Sequence, residues 1–138
     1  HDLGIYGESP DIMNRLTYRE LQSKLSDVHN KVKTLTGYEM TLLRLPFGGY
    51  ERNVITNAEK CGYYSIKWDV DSMDWKNYGA DSIIQTVMGD EDLQKGSIIR
   101  FRTDAKFTAE ALTKLTDSLL NQGYEPVPLS KMLTGAHE

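Results

Sequence analysis

The sequence predicts an α/β fold with a mainly parallel sheet and flanking helices. Strand-like apolar runs alternate with helix-like segments from end to end, and each helix pattern is apolar on one side only. No linker, internal repeat or low-complexity stretch interrupts this alternation. Strands separated by helices pair in parallel through right-handed crossovers, so each helix is expected to cover a sheet with its apolar side.

The first half of the chain opens on a strand-like segment and the clearest helix pattern. Thr17 and Glu20 have the spacing of a capping box, and Gly37 is placed to end the helix in a left-handed conformation. The predicted apolar side of this helix holds Leu21, Leu25, Val28, Val32 and Leu35. A buried strand over residues 40–45, a short helix over residues 54–61 and a strand over residues 63–70 follow.

The second half predicts two further helices and two further strands. A helix is expected over residues 80–88, a strand over residues 97–102 and a helix over residues 108–121. The last of these helices is predicted to bury Leu112, Leu115 and Leu119, and the chain then ends with a strand-like segment over residues 125–129.

Composition is that of one soluble globular domain, which we assign to residues 1–138. The formal net charge of −4 and the scattered basic residues exclude a nucleic-acid footprint. Cys61 is the only cysteine, which excludes an internal disulfide, and no apolar run is long enough for a membrane span. Because the chain has no initiator methionine and no signal peptide, we expect a processed form or a fragment.

Two segments concentrate polar chemistry where predicted strands end. One is Arg44-Leu-Pro-Phe-Gly-Gly-Tyr50, and the other, residues 68–75, places three carboxylates between two tryptophans. The carboxyl ends of parallel strands are where α/β folds display their reactive residues. We therefore predict that Arg44 and Asp74 lie on one rim of the sheet and share a polar network.

The order and content of these segments resemble the polysaccharide deacetylases, the NodB-homology group that forms carbohydrate esterase family 4. Arg44-Leu-Pro-Phe-Gly48 matches the family's R-x-P-[YF]-G segment, and Asp71-Ser-Met-Asp-Trp75 matches its D-[ST]-x-D-W segment. The tail over residues 123–133 is similar to the family's closing strand. The resemblance implies the later part of a deacetylase-type distorted (β/α) barrel, without the N-terminal Asp-Asp motif, which would precede residue 1.

The resemblance also implies roles for individual residues. Arg44 would orient a catalytic carboxylate, and the backbone N–H of Phe47 would help to bind an oxyanion. Asp74 would orient the acid histidine, and Trp75 would wall the acetyl pocket. These positions are predicted remnants of a catalytic site, and the predicted substrate-binding residues beside them are Tyr6, Tyr50, Asp71 and Arg102.

The departures from the family pattern concern its histidines. The family's two metal-binding histidines fall on Tyr6 and Pro10, and its acid histidine falls on Arg102. Proline has no ligand atom, neutral tyrosine is a poor replacement for imidazole, and arginine stays protonated at ordinary pH. We therefore expect no bound metal, although the family uses a divalent ion such as zinc, and no metal-dependent deacetylation.

Three functions stay open on the sequence alone. The first is an inactive deacetylase-family domain of the bacterial cell surface, outside the cell, that binds peptidoglycan-type polysaccharide and pairs as a homodimer through exposed sheet edges. The second is an active metal-dependent glycan N-deacetylase, completed by upstream sequence and by unusual ligands such as His1, Asp2 or Glu8. The third is a cytoplasmic regulatory module of flavodoxin type, although no glycine-rich phosphate loop follows the first strand.

The polar segments also have purely structural interpretations. Arg44 could be a surface ion-pair partner, Trp68 could belong to the core, and the three aspartates of residues 69–74 could cap the helix that begins near Ala80. Arg100 and Arg102 have the same parity on one predicted strand. Both could therefore pair with Asp71 and Asp74 in a network that fills the space of a metal.

Overall fold

The computed structural model describes residues 1–134, in which the chain divides into two compact units. The first unit is His1–Lys67, and the second begins at Trp68. Both units are α/β with parallel strands, which confirms the predicted fold class. The assignment of residues 1–138 to a single family domain stays a prediction, and its last four residues lie outside the described part of the chain.

The first unit is built on a parallel sheet of strands β1 (Ile5–Tyr6), β2 (Leu42–Arg44) and β3 (Tyr64–Ile66), in that spatial order. Its helices are α1 (Pro10–Met13), α2 (Tyr18–Thr36) and α3 (Arg52–Lys60). Leu43 in the central strand and Ala58 in α3 are fully buried. Tyr6 lies opposite Arg44, so the sheet itself brings together the two polar segments of this unit.

Helix α2 shows how local sequence sets its boundaries. The Thr17 hydroxyl accepts from the Glu20 N–H at 3.2 Å, and the Glu20 carboxylate accepts from the Thr17 N–H at 2.8 Å. Gly37 ends the helix at φ 74°, as predicted. Leu21 and Leu25 are buried, whereas the predicted burial of Val28 and Leu35 is wrong. A helix of this length runs about 28 Å and strands of two or three residues only about 10 Å, so its last turns extend past the sheet.

The second unit is built on two parallel strands, β4 (Val70–Asp71) and β5 (Ile99–Arg100), with Asp71 opposite Arg100. Helices α4 (Ala80–Met88) and α5 (Thr108–Asn121) have the predicted bounds, and a 3₁₀ helix spans Asp74–Lys76. A last helix, α6, spans Leu129–Thr134. The core of this unit joins one strand residue to the buried sides of α4 and α5: Val70, Val87, Leu115 and Leu119.

Three further predictions of local structure are wrong. The single strand over residues 63–70 is two strands in separate sheets, and Asp69 in the break accepts from the Ile98 N–H at 2.7 Å. Residues 125–128 form no strand, because Pro126 and Pro128 have no N–H to donate to a neighbouring strand. Leu112 is exposed, and the buried side of α5 is formed by Ala111, Leu115 and Leu119, spaced four residues apart.

Candidate functional site

The carboxyl ends of β1 and β2 bring Tyr6 and Arg44 together. The Arg44 guanidinium lies 5.6 Å from the centre of the Tyr6 ring, within the range of a cation–π contact. The Gly7 N–H donates to the Arg44 carbonyl at 2.8 Å and fixes the backbone beside this pair. Tyr6 remains 67% exposed, so its ring is available for contact with a ligand.

The loop after β2 is fastened to both ends of α1. The Asn14 side chain donates to the Gly49 carbonyl at 3.0 Å and accepts from the Glu51 N–H at 2.8 Å. Pro10 occupies the first turn of α1, where its missing N–H costs nothing, and it lies beside Gly49. Sequence reasoning missed Asn14, and no motif pointed to it.

Tyr50 ties this loop to the segment that follows β1. Its hydroxyl donates to the Glu8 carbonyl at 2.6 Å. Burial raises the pKa of Tyr50, and the backbone amide of Phe47 opposes that shift less strongly. The Phe47 side chain is exposed, and the predicted oxyanion role concerns its backbone amide only.

The residues at the family's metal positions do not fit a divalent cation. Tyr6 presents its ring face to a guanidinium, and Pro10 has no ligand atom. Two of the three alternative ligands are engaged elsewhere: Asp2 accepts from the Tyr38 hydroxyl at 3.1 Å, and Glu8 pairs with Lys24 at 3.2 Å. Within residues 1–134, no three His, Cys, Asp or Glu side chains are grouped as a metal site would require.

The carboxyl ends of β4 and β5 bring Asp71 and Arg100 into an ion pair. The Arg100 Nη2 lies 2.7 Å from the Asp71 Oδ2, and both side chains are largely buried. The guanidinium also lies 4.3 Å from the centre of the Trp68 ring. Trp68 is half-buried and packs on the Arg100 guanidinium, and it does not belong to the core cluster of the second unit.

Asp74 is the most enclosed charged group of the second unit, with 1% of its surface exposed. Its Oδ2 accepts from the Arg102 N–H at 2.8 Å and from the Thr108 hydroxyl at 2.6 Å. Its buried Oδ1 has no hydrogen-bond partner in the structure. The residue predicted to orient an acid histidine therefore binds the backbone of residue 102 instead. Sequence reasoning missed Thr108, which only its place at the start of a helix could have indicated.

The predicted network of two arginines and two aspartates is only half correct. Arg100 pairs with Asp71, but the Arg102 guanidinium makes two hydrogen bonds of 2.8 Å to Asp104 at the exposed surface. These bonds lower the pKa of Asp104. The predicted capping of α4 by aspartates is wrong, because its N-cap is Gly79 and no side chain caps it.

Trp75 lies in the 3₁₀ helix that begins at Asp74, and its side chain is 45% exposed; its role in an acetyl pocket stays a prediction. Arg44 is the last residue of β2 and Asp74 follows β4, and those strands belong to separate sheets. A polar network shared by Arg44 and Asp74 therefore stays a prediction.

Comparison of the sequence with known proteins finds similarity to polysaccharide and peptidoglycan deacetylases. Residues 1–66 match the family model described as polysaccharide deacetylase. The peptidoglycan-N-acetylmuramic acid deacetylase PdaC of Bacillus subtilis is 28% identical over 134 residues, which cover 96% of this chain and 27% of PdaC. The peptidoglycan-N-acetylglucosamine deacetylase PgdA of Listeria monocytogenes is 29% identical over 132 residues, with the same two coverages.

Solved structures agree with these sequence matches. The structure of wild-type BA3943, described as a CE4 family pseudoenzyme from Bacillus anthracis, superposes with a TM-score of 0.78 at 25% identity. The match covers 94% of this chain and 45% of that one. The chain thus spans about a quarter of the two curated relatives and under half of this structural neighbour. The family model over residues 1–66, the relatives and the fold all identify the chain as similar to the polysaccharide deacetylases, carbohydrate esterase family 4.

Proposed function

We propose that this chain binds acetylated glycan of the peptidoglycan type at the bacterial cell surface without itself catalysing metal-dependent deacetylation. The observation that carries the proposal is the bonding of Asp74, whose Oδ2 is occupied by the Arg102 N–H and the Thr108 hydroxyl. At the position of the acid histidine, the side chain is a guanidinium bound to Asp104.

The loss of catalysis follows from the chemistry of these side chains. Hydrolysis of an acetamide in this family needs a Lewis-acid metal with its water, a base and an acid for the leaving amine. Tyr6 and Pro10 supply no metal site of ordinary affinity, and Arg102 cannot release a proton at ordinary pH. An oxyanion donor such as the Phe47 amide acts only after a nucleophile has attacked, so it cannot replace these parts.

Glycan binding is supported by exposed groups at the two strand rims. Tyr6 offers a ring face, and Arg102 lies at the surface with its carboxylate partner. Tyr50 and Asp71 are better placed to support the binding surface than to touch sugar, because Tyr50 is bound to Glu8 and Asp71 to Arg100. Arg44 lies beside Tyr6 in the first unit, and Trp75 adds an exposed ring in the second unit.

A place at the cell surface is part of this proposal and is supported by the similarity to PdaC and PgdA, which are peptidoglycan deacetylases. None of the helices within residues 1–134 is long and apolar enough to cross a membrane.

The experiment measures both acetate release and glycan binding with the same preparation of the purified chain. The purified chain is incubated with added zinc and either an N-acetylglucosamine oligomer or isolated peptidoglycan, beside a heat-killed control. We expect no acetate above the control and measurable sedimentation of the chain with peptidoglycan. Acetate release that an Asp74→Asn variant loses and an Asp104→Asn variant keeps would overturn the proposed loss of activity. An absence of sedimentation would overturn the proposed binding.

A further inference from the structure

The loop after Asp74 carries two exposed aromatic rings around one ammonium group. Trp75 is 45% exposed and Tyr78 is 76% exposed, although large aromatic side chains are usually buried. The Lys76 Nζ lies 5.5 Å from the centre of the Trp75 ring and 5.9 Å from that of Tyr78. We call Trp75, Lys76 and Tyr78 the aromatic–lysine platform.

The platform stands on a fixed backbone. The Asp71 carboxylate accepts from the Met73 N–H at 3.0 Å, and the Asn77 side chain accepts from the Lys106 N–H at 3.0 Å. Asp74 anchors the turn from below through its two hydrogen bonds. Met73 and Asn77 both have φ 55°, a conformation that costs free energy in residues other than glycine. A rigid loop that exposes aromatic rings loses little conformational entropy on binding.

The charges around the platform indicate the sign of its ligand. Arg100 is paired with Asp71, and Arg102 is bound to Asp104. Among the ion pairs of residues 1–134, none includes Lys76. Its ammonium contacts two ring faces and keeps N–H donors for a further acceptor, so an anion complements it.

We propose that the aromatic–lysine platform selects glycan that carries a carboxylate, such as the lactyl carboxylate of muramic acid. The inference rests on the proposed glycan-binding function and names the chemistry that would distinguish one glycan from another. Ring faces of Trp75 and Tyr78 would stack on the apolar faces of sugar rings. Lys76 would form a charge-assisted hydrogen bond with the carboxylate between them.

The experiment compares one glycan in two charge states. The probes are peptide-free peptidoglycan strands with free lactyl carboxylates and the same strands after methyl esterification. By titration calorimetry at low salt, we expect the charged strands to bind roughly tenfold more tightly, as one charge-assisted contact would give. This preference should shrink in about 0.5 M salt, where the Debye length is only a few ångströms.

Substitutions distinguish the contribution of the Lys76 ammonium to binding from that of the aromatic rings. Lys76→Gln should remove the preference and leave binding of the esterified strands within about twofold, and Tyr78→Ala should weaken both probes roughly fivefold to tenfold. Lys114→Gln on α5 and Tyr64→Ala on β3 are matched controls at exposed positions of the same residue types. Circular dichroism of every variant checks that it is folded.

The outcomes distinguish this inference from the function on which it rests. If both probes bind and Lys76→Gln leaves their ratio unchanged, the assignment to Lys76 is wrong while glycan binding stands. If esterification does not weaken binding, the preference for a carboxylate is wrong. If neither probe binds, the proposed glycan binding and the inference fail together.

Discussion

Asp74→Ala tests whether the buried carboxylate holds the second unit together. The substitution removes the acceptor of two hydrogen bonds, one from the Arg102 N–H at 2.8 Å and one from the Thr108 hydroxyl at 2.6 Å. A hydrogen bond to a charged group contributes about 1.5–3 kcal/mol. Desolvation of the carboxylate offsets part of that gain, because Asp74 has no charged partner in the described ion pairs. We expect a net loss of about 2–4 kcal/mol in the free energy of unfolding.

The assay is urea denaturation followed by tryptophan fluorescence, with Asp104→Ala as the matched control. Asp104 also binds residue 102, but at the exposed surface, where water screens the ion pair, so its removal should lower the free energy of unfolding much less than Asp74→Ala does. A double-mutant cycle with Thr108→Val should show a coupling of about 1 kcal/mol, since the two side chains share one hydrogen bond. Equal effects of Asp74→Ala and Asp104→Ala would refute the reasoning.

Three further predictions address the capping box, a buried phenol and the stacked arginine. Thr17→Ala should lower the free energy of unfolding by about 1 kcal/mol by calorimetry, whereas the mid-helix control Ser23→Ala should not lower it. Burial raises the pKa of Tyr63 above its ordinary 10.0, so its contribution to stability is full below pH 10 and is lost as pH rises through the folded-state pKa. The free energy of unfolding of Tyr63→Phe, taken from denaturation curves, should therefore fall less above pH 10 than that of the parent. An identical fall in both proteins would contradict the assignment to Tyr63. Arg100→Lys should lower the free energy of unfolding by about 1–2 kcal/mol, because the contact of the guanidinium with the Trp68 ring is lost. An unchanged free energy of unfolding would show that this contact does not stabilise the fold.

Helices were predictable here because their signals are local. The bounds of α4 and α5 follow from apolar spacing within each segment, and the start of α2 follows from Thr17 and Glu20 three residues apart. The burial of Leu112 was predicted wrongly because Ala111, a smaller residue, faces the core on the same helix. Predictions from apolar spacing favour large apolar residues, so a small residue such as Ala111 that faces the core is easily overlooked.

The strands were harder because strand pairing depends on distant residues. Residues 63–70 form one apolar run in the sequence, yet Ile66 pairs with β2 and Val70 pairs with β5. The break is set by Asp69, which bonds to Ile98 almost thirty residues later along the chain. No pattern within the run could indicate that partner.

The D-S-x-D-W match is a stronger indication of fold than of activity. Asp74 accepts its two hydrogen bonds from the backbone N–H of residue 102 and from Thr108. The backbone donor is present whichever side chain stands at position 102, histidine or arginine. Asp74 therefore has a structural role that does not depend on catalysis, because a buried N–H without a partner costs about 1–3 kcal/mol of stability. The motif is therefore held in place by bonds that do not depend on the side chain at position 102, and its presence alone does not indicate catalysis.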